Sequence, residues 1–138
     1  GVKINYITDG DIAGALTVIG NQPKNDIYYS TGGGPEGVIV AAALSCYGGQ
    51  IQGRLILDAD EKIRAKKLGI KDFNKKYNIE EMVRGDVIFC ATGVTDGDLA
   101  KGVEDLGNEF KVTTFALHKS QKIIKTVSNI YNKWTHFL

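Results

Sequence analysis

Asp26-Ile27-Tyr28-Tyr29-Ser30-Thr31-Gly32-Gly33-Gly34-Pro35-Glu36-Gly37-Val38 is the stretch from which the rest of the chain can be read. Residues 26–31 carry the β-formers Ile27, Tyr28 and Tyr29, and run into three glycines in a row. Pro35 suits the first turn of a helix, because its missing N–H would have no partner there. Residues 38–47 are small and apolar on every side, which predicts a buried helix, and Gly48-Gly49 ends it. The order is therefore strand, glycine-rich turn, helix. Tyr28 and Tyr29 face opposite sides of the expected strand, so one of them should reach the core.

The same order is expected on either side. Residues 2–7 read as a strand, Thr8-Asp9-Gly10-Asp11 as a turn with Asp9 or Asp11 as cap, and residues 12–19 as a helix. Residues 50–57 read as a third strand and 59–69 as a charged helix with its cations toward the C-terminal end. Residues 72–82 are expected to be helical. Residues 86–91 read as a strand apolar throughout, followed by the turn 92–98 and a short helix over 99–106. Residues 112–118 and 123–127 read as a closing hairpin. This alternation predicts an α/β domain over residues 1–138, with a mostly parallel sheet and flanking helices.

Composition narrows the function classes. The chain has 138 residues, 43% of them hydrophobic and 24% charged, which fits one domain with one core. A net charge of +1 gives no basic excess for nucleic acid. The longest apolar run is too short to span a bilayer, and residues 1–7 lack the pattern of a secretory signal. Cys46 and Cys90 form no disulfide framework and read as buried small side chains of a cytoplasmic protein. Met82 is the only methionine, so either a start methionine preceded Gly1 or the chain is a fragment.

Three acidic or glycine-rich turns, 8–11, 32–37 and 92–98, are expected at the carboxyl edge of the sheet, where open α/β sheets bind ligands. Glycine lets the backbone approach a ligand, and a helix start favours phosphate oxygens. The set suggests a phosphorylated ligand, with a divalent cation on the carboxylates. Asp9 and Asp11 equally suit helix caps, and Glu36 equally suits the helix dipole. No GxxxxGK[ST] or strand-borne GxGxxG is present. His118 and His136 lack companions at metal-ligand spacing and read as surface or hairpin residues.

Asp9-Gly10-Asp11-Ile12-Ala13 and Gly32-Gly33-Gly34-Pro35-Glu36-Gly37-Val38 resemble motifs of class II fructose-1,6-bisphosphatases. Further similar segments follow in the same order: Gly53-Arg54-Leu55, Val87-Ile88-Phe89, Ala91-Thr92-Gly93-Val94-Thr95, Gly97-Asp98-Leu99 and residues 122–131. The resemblance spans residues 3–131. It implies the C-terminal half of a layered fold of the inositol-monophosphatase type. It also implies Mg²⁺- or Mn²⁺-dependent hydrolysis of the 1-phosphate of fructose 1,6-bisphosphate in gluconeogenesis, with sedoheptulose 1,7-bisphosphate as a second substrate in photosynthetic relatives. Glu36 matches the family's metal-ligand glutamate, and Asp9, Gly10, Asp11 and Gly33 match its substrate-binding residues. The family's remaining metal ligands and its water-positioning threonine lie in an N-terminal half that this sequence lacks. No catalytic residue falls in this half, so the chain alone is expected to be inactive. The competing expectation is a non-catalytic module that binds a sugar phosphate or a partner chain. A domain without its partner half should expose apolar surface and associate into homo-oligomers.

Overall fold

The computed structural model describes residues 1–7, 10–20 and 22–133. Four helices and four strands follow in the order α1 (Asp11–Ala15), α2 (Gly34–Tyr47), α3 (Ala59–Lys67), α4 (Ile79–Met82), β1 (Ile88–Thr92), β2 (Glu104–Asp105), β3 (Glu109–His118) and β4 (Ile123–Asn132), with a 3₁₀ turn at Leu16–Val18 extending α1. The helices form where their ends are encoded locally. α2 starts four residues before the expected position, with Pro35 in its first turn, and stops at Gly48, whose φ of 73° only glycine adopts freely. α3 is opened by a reciprocal capping box: the Glu61 amide donates to Asp58 Oδ1 at 2.8 Å, and the Asp58 amide to Glu61 Oε2 at 2.9 Å. Arg64, Lys66 and Lys67 close it, as the helix dipole favours.

α2 is the centre of the core. Val40, Ala41, Ala43 and Leu44 are buried, and they pack with Ala15 and Leu16 on one side and Phe89 and Leu117 of the sheet on the other. Val38 and Ile39 stay exposed, so α2 is buried along one face and not all round. Tyr28 joins this core and Tyr29 does not, as the alternation predicts. Phe89 meets Phe115 edge to face, with ring centroids 6.5 Å apart.

The sheet corrects the expected topology. Every pairing among the described residues is antiparallel: β3 lies between β4 on one side and β1 and β2 on the other. The hairpin is longer than expected, running from Glu109 paired with Asn132 to His118 paired with Ile123. Residues 2–7 and 26–31 enter no strand ladder, and 50–57 makes only a bridge from Gly53 to Tyr77. Strand pairing needs a backbone ladder as well as a pattern: residues 2–7 lie near 26–31, with Asn5 Nδ2 donating to Asn25 Oδ1 at 2.8 Å, but no ladder forms, and Tyr6 and Tyr29 are 90% and 95% exposed. Two expected helices also fail because their backbone is used elsewhere. Tyr77 donates to and accepts from Gly53, which leaves only Ile79–Met82 helical in 72–82. In 99–106, Asp96 Oδ1 accepts from the Gly102 amide, and Glu104 and Asp105 pair with β3. Cys46 is half-buried, whereas Cys90 is exposed, because it points to the face of β1 opposite Phe89.

One carboxylate ties the hairpin to the start of β1. Asp86 Oδ2 accepts from Ser120 Oγ at 2.7 Å and His118 Nε2 at 2.8 Å, and Oδ1 accepts from the Ser120 amide at 3.0 Å. The Ser120 hydroxyl first, then His118, holds the Asp86 carboxyl far below its ordinary 3.8. A depressed carboxyl stabilises the fold above its unfolded pKa, and that stabilisation fades as pH falls below it. Asp86→Ala is therefore expected to lower the urea midpoint at about pH 6 and to differ progressively less from the parent toward about pH 3. Leu117, 1% exposed, is expected to cost about 2–5 kcal/mol on truncation to alanine in the same assay, and Ile130→Ala, at an exposed position, much less.

Candidate functional site

Two of the three turns singled out in the sequence meet. Gly10 caps α1 with φ 82° and ψ 57°, and Asp11 is the first residue of the helix. Gly10 occupies the cap position and no side-chain cap is made among the described residues, so Asp11 is not the capping residue; it is exposed. It lies against the glycine turn: a Cβ on Gly32 would stand 2.6 Å from Asp11 Oδ2. On the next residue the Glu36 carboxylate folds back in the same way, so that a Cβ on Gly33 would overlap Glu36 Oε2. Consecutive glycines thus carry the Asp11 and Glu36 carboxylates, one from each helix start. A side chain at either position would make the carboxylate beside it swing away.

The local sequence explains the arrangement. Gly33 is the N-cap of α2, in extended backbone, and the turn from cap to helix brings Glu36 back over it, with the Gly37 amide donating to the Gly33 carbonyl at 3.1 Å. α1 is held beside α2 by the burial of Ala15 and Leu16, and Ile7 and Tyr28 close over Gly14. The N-terminal ends of the two helices therefore approach the same point. Asp11, Gly33 and Glu36 are all exposed to solvent, and the first-turn amides of α2 have no partners within the helix. Such a site can accept hydrogen bonds from hydroxyl groups, bind a hard cation through carboxylate oxygen, and offer amides to an anion.

The third turn is elsewhere. Asp98 pairs with Lys24 at 3.0 Å and lines a depression along the α1 and 3₁₀ segment with Ala13, Leu16 and Thr17, and Asp96 Oδ1 accepts from the Gly102 amide. With both partners of the Lys24 pair largely exposed, it contributes little to stability. Asp9 lies outside the described residues. The donor type at Asp11 and Glu36 suits Mg²⁺ or Mn²⁺, but the donor number does not: no group of three His, Cys, Asp or Glu residues placed to hold a metal occurs among the described residues. The Asp86, His118 and Ser120 cluster was not legible locally. It arises because the pairing of Ile88 with His118 brings residues 34 positions apart together. No helix among the described residues is long and apolar enough to cross a membrane.

Comparison with known proteins agrees with the family resemblance and its extent. The family model described as bacterial fructose-1,6-bisphosphatase, glpX-encoded, matches residues 1–131. The D-fructose 1,6-bisphosphatase class 2/sedoheptulose 1,7-bisphosphatase of Synechococcus sp. (strain JA-2-3B'a(2-13)) is 37% identical over 96% of this chain and 42% of its own length. The fructose-1,6-bisphosphatase class 2 of Haemophilus influenzae is 35% identical over 95% of this chain and 44% of its own. The fructose-1,6-bisphosphatase 2 class 2 of Escherichia coli K12 is 32% identical, with corresponding shares of 95% and 45%. The chain thus spans less than half the length of these relatives, and it belongs to the bacterial, glpX-encoded fructose-1,6-bisphosphatase family.

Proposed function

We propose that this chain is the C-terminal part of a metal-dependent sugar bisphosphatase, and that it supplies one side of the active site. The observation that carries the reading is the pair of carboxylates on consecutive glycines, Asp11 on Gly32 and Glu36 on Gly33. The reaction proposed is hydrolysis of the 1-phosphate of fructose 1,6-bisphosphate to fructose 6-phosphate, in gluconeogenesis. Sedoheptulose 1,7-bisphosphate is a second candidate substrate, since the printed name of the Synechococcus relative includes it.

Within that reaction the chain's own residues bind and orient. Asp9 and Asp11 accept hydrogen bonds from sugar hydroxyls, and the Gly33 backbone comes close to the sugar because it bears no side chain. Glu36 is the residue that would hold Mg²⁺ or Mn²⁺, whose chemistry is to polarise a phosphoryl oxygen and lower the pKa of bound water. Two carboxylates on described residues do not complete a shell for either ion, and the remaining donors belong to the part of the family's length that this chain lacks. Alone, the chain should therefore release no phosphate. Copies of the chain are also proposed to associate, because Val2, Tyr6, Ile27 and Tyr29 leave apolar surface uncovered; solution mass that rises with concentration would support this, and a constant monomer mass would not.

Fusion behind the remaining portion of the Synechococcus relative tests the assignment. The fusion is expected to release phosphate from fructose 1,6-bisphosphate with Mn²⁺ present, and Glu36→Gln to lower its turnover about a hundredfold or more, as loss of a metal-site group does. An equally active Glu36→Gln fusion would remove Glu36 from the site. A chain as active alone as in the fusion would overturn the division of labour. An inactive fusion that still binds the sugar phosphate would favour the non-catalytic module.

A further inference from the structure

Gly53-Arg54-Leu55 has no role in the site described above. In the structure Arg54 and Leu55 line an open depression of about 270 Å³ together with Ile56, Leu57, Lys62, Phe73 and Asn74. None of these residues lies on α1, α2 or the glycine turn. The frame is fixed. The Gly53 amide donates to the Tyr77 carbonyl at 3.0 Å, and the Tyr77 amide returns to the Gly53 carbonyl at 2.7 Å. The Asn74 amide donates to Asp72 Oδ1 at 2.8 Å.

The charges around the depression are unbalanced. Lys24, Lys75, Lys101, Lys111 and Lys133 each have a carboxylate partner. Among the described residues Arg54 and Lys62 have none within 4.0 Å, as is also true of Arg64, Lys66 and Lys67 on α3. Of the carboxylates nearest in sequence, three accept from backbone amides, Asp58 from Glu61, Glu61 from Asp58 and Asp72 from Asn74, while Asp60 on α3 does not. Arg54, Lys62 and Asn74 thus line one hollow together with the half-buried Leu55, Leu57 and Phe73. Arginine offers a planar fork that matches phosphate oxygens, lysine a point charge, and the apolar walls weaken screening by water.

We propose that this depression is a second anion site, which takes a phosphate monoester: the dianion between Arg54 and Lys62, the organic group against Leu55, Leu57 and Phe73. The inference does not depend on the proposed activity, because its residues and those of the Asp11–Glu36 pair are disjoint.

Two-dimensional amide NMR on the 138-residue chain, titrated at low salt with inorganic phosphate and with phenyl phosphate, tests it. Expected are shifts at 54–57, 62, 73 and 74, tighter binding of phenyl phosphate than of inorganic phosphate, and about tenfold weaker binding in Arg54→Ala, the loss of one charge-assisted contact. Lys62→Gln, on an exposed helix position, should weaken binding in the same direction while leaving the fold intact, and Asp11→Asn and Glu36→Gln should not change it. Binding unchanged in Arg54→Ala and Lys62→Gln, shifts confined to 10–11 and 32–37, or no shifts with either probe would overturn the proposal. Equal affinity for the two probes would reduce the site to one for free phosphate and remove the ester.

Discussion

The burial of α2 between α1 and the sheet is the contact on which the remainder depends. Ala41 and Ala43 are wholly buried, and Leu44 and Val40 nearly so. Small residues at these positions let the helix sit close to Phe89 and Leu117, and each large side chain placed there contributes roughly 1.5–3 kcal/mol by leaving water. No other helix among the described residues bridges the sheet and the N-terminal segment. If α2 moved, Glu36 would move with it, and Asp11 would lose the turn it rests on.

Site geometry follows from that packing. Asp11 belongs to a helix of five residues, too short to hold itself in water. It keeps its place because Ala15 and Leu16 are packed on α2. The glycine turn then brings two carboxylates close without any hydrogen bond between the segments being required. The cost is that both side chains stay exposed and the donor set stays partial. The chain spans less than half the length of the relatives it matches, and among the described residues no third metal-ligating side chain joins Asp11 and Glu36.

How much was legible depended on whether the signal was local. Helix limits were read well where the residues that set them stand beside the helix: Gly48 at the end of α2, and the basic end of α3. The closing hairpin was also legible, because its strands are joined by a short turn. The parallel sheet was not. Alternation in residues 2–7 and 26–31 was read as strand, but alternation does not fix whether a backbone ladder forms, and among the described residues none does there. The helices expected over 72–82 and 99–106 failed for the related reason that distant partners, Gly53 and β3, took the backbone groups. In the site, the nearness of Asp11 and Glu36 was legible as two turns of one type. The separation of Asp98 was not, since its partner Lys24 is 74 residues away.

The account's central claim is that residues 10–11 and 32–37 form one cation-binding surface that α2 holds together. Paramagnetic line broadening by Mn²⁺ at low occupancy tests this most directly, because it detects weak binding and reports position. The account predicts that amide signals of both loops broaden together, and that Glu36→Gln weakens the effect at both. Broadening at one loop only, or equal broadening at unrelated surface carboxylates such as Asp60 and Glu80, would contradict it.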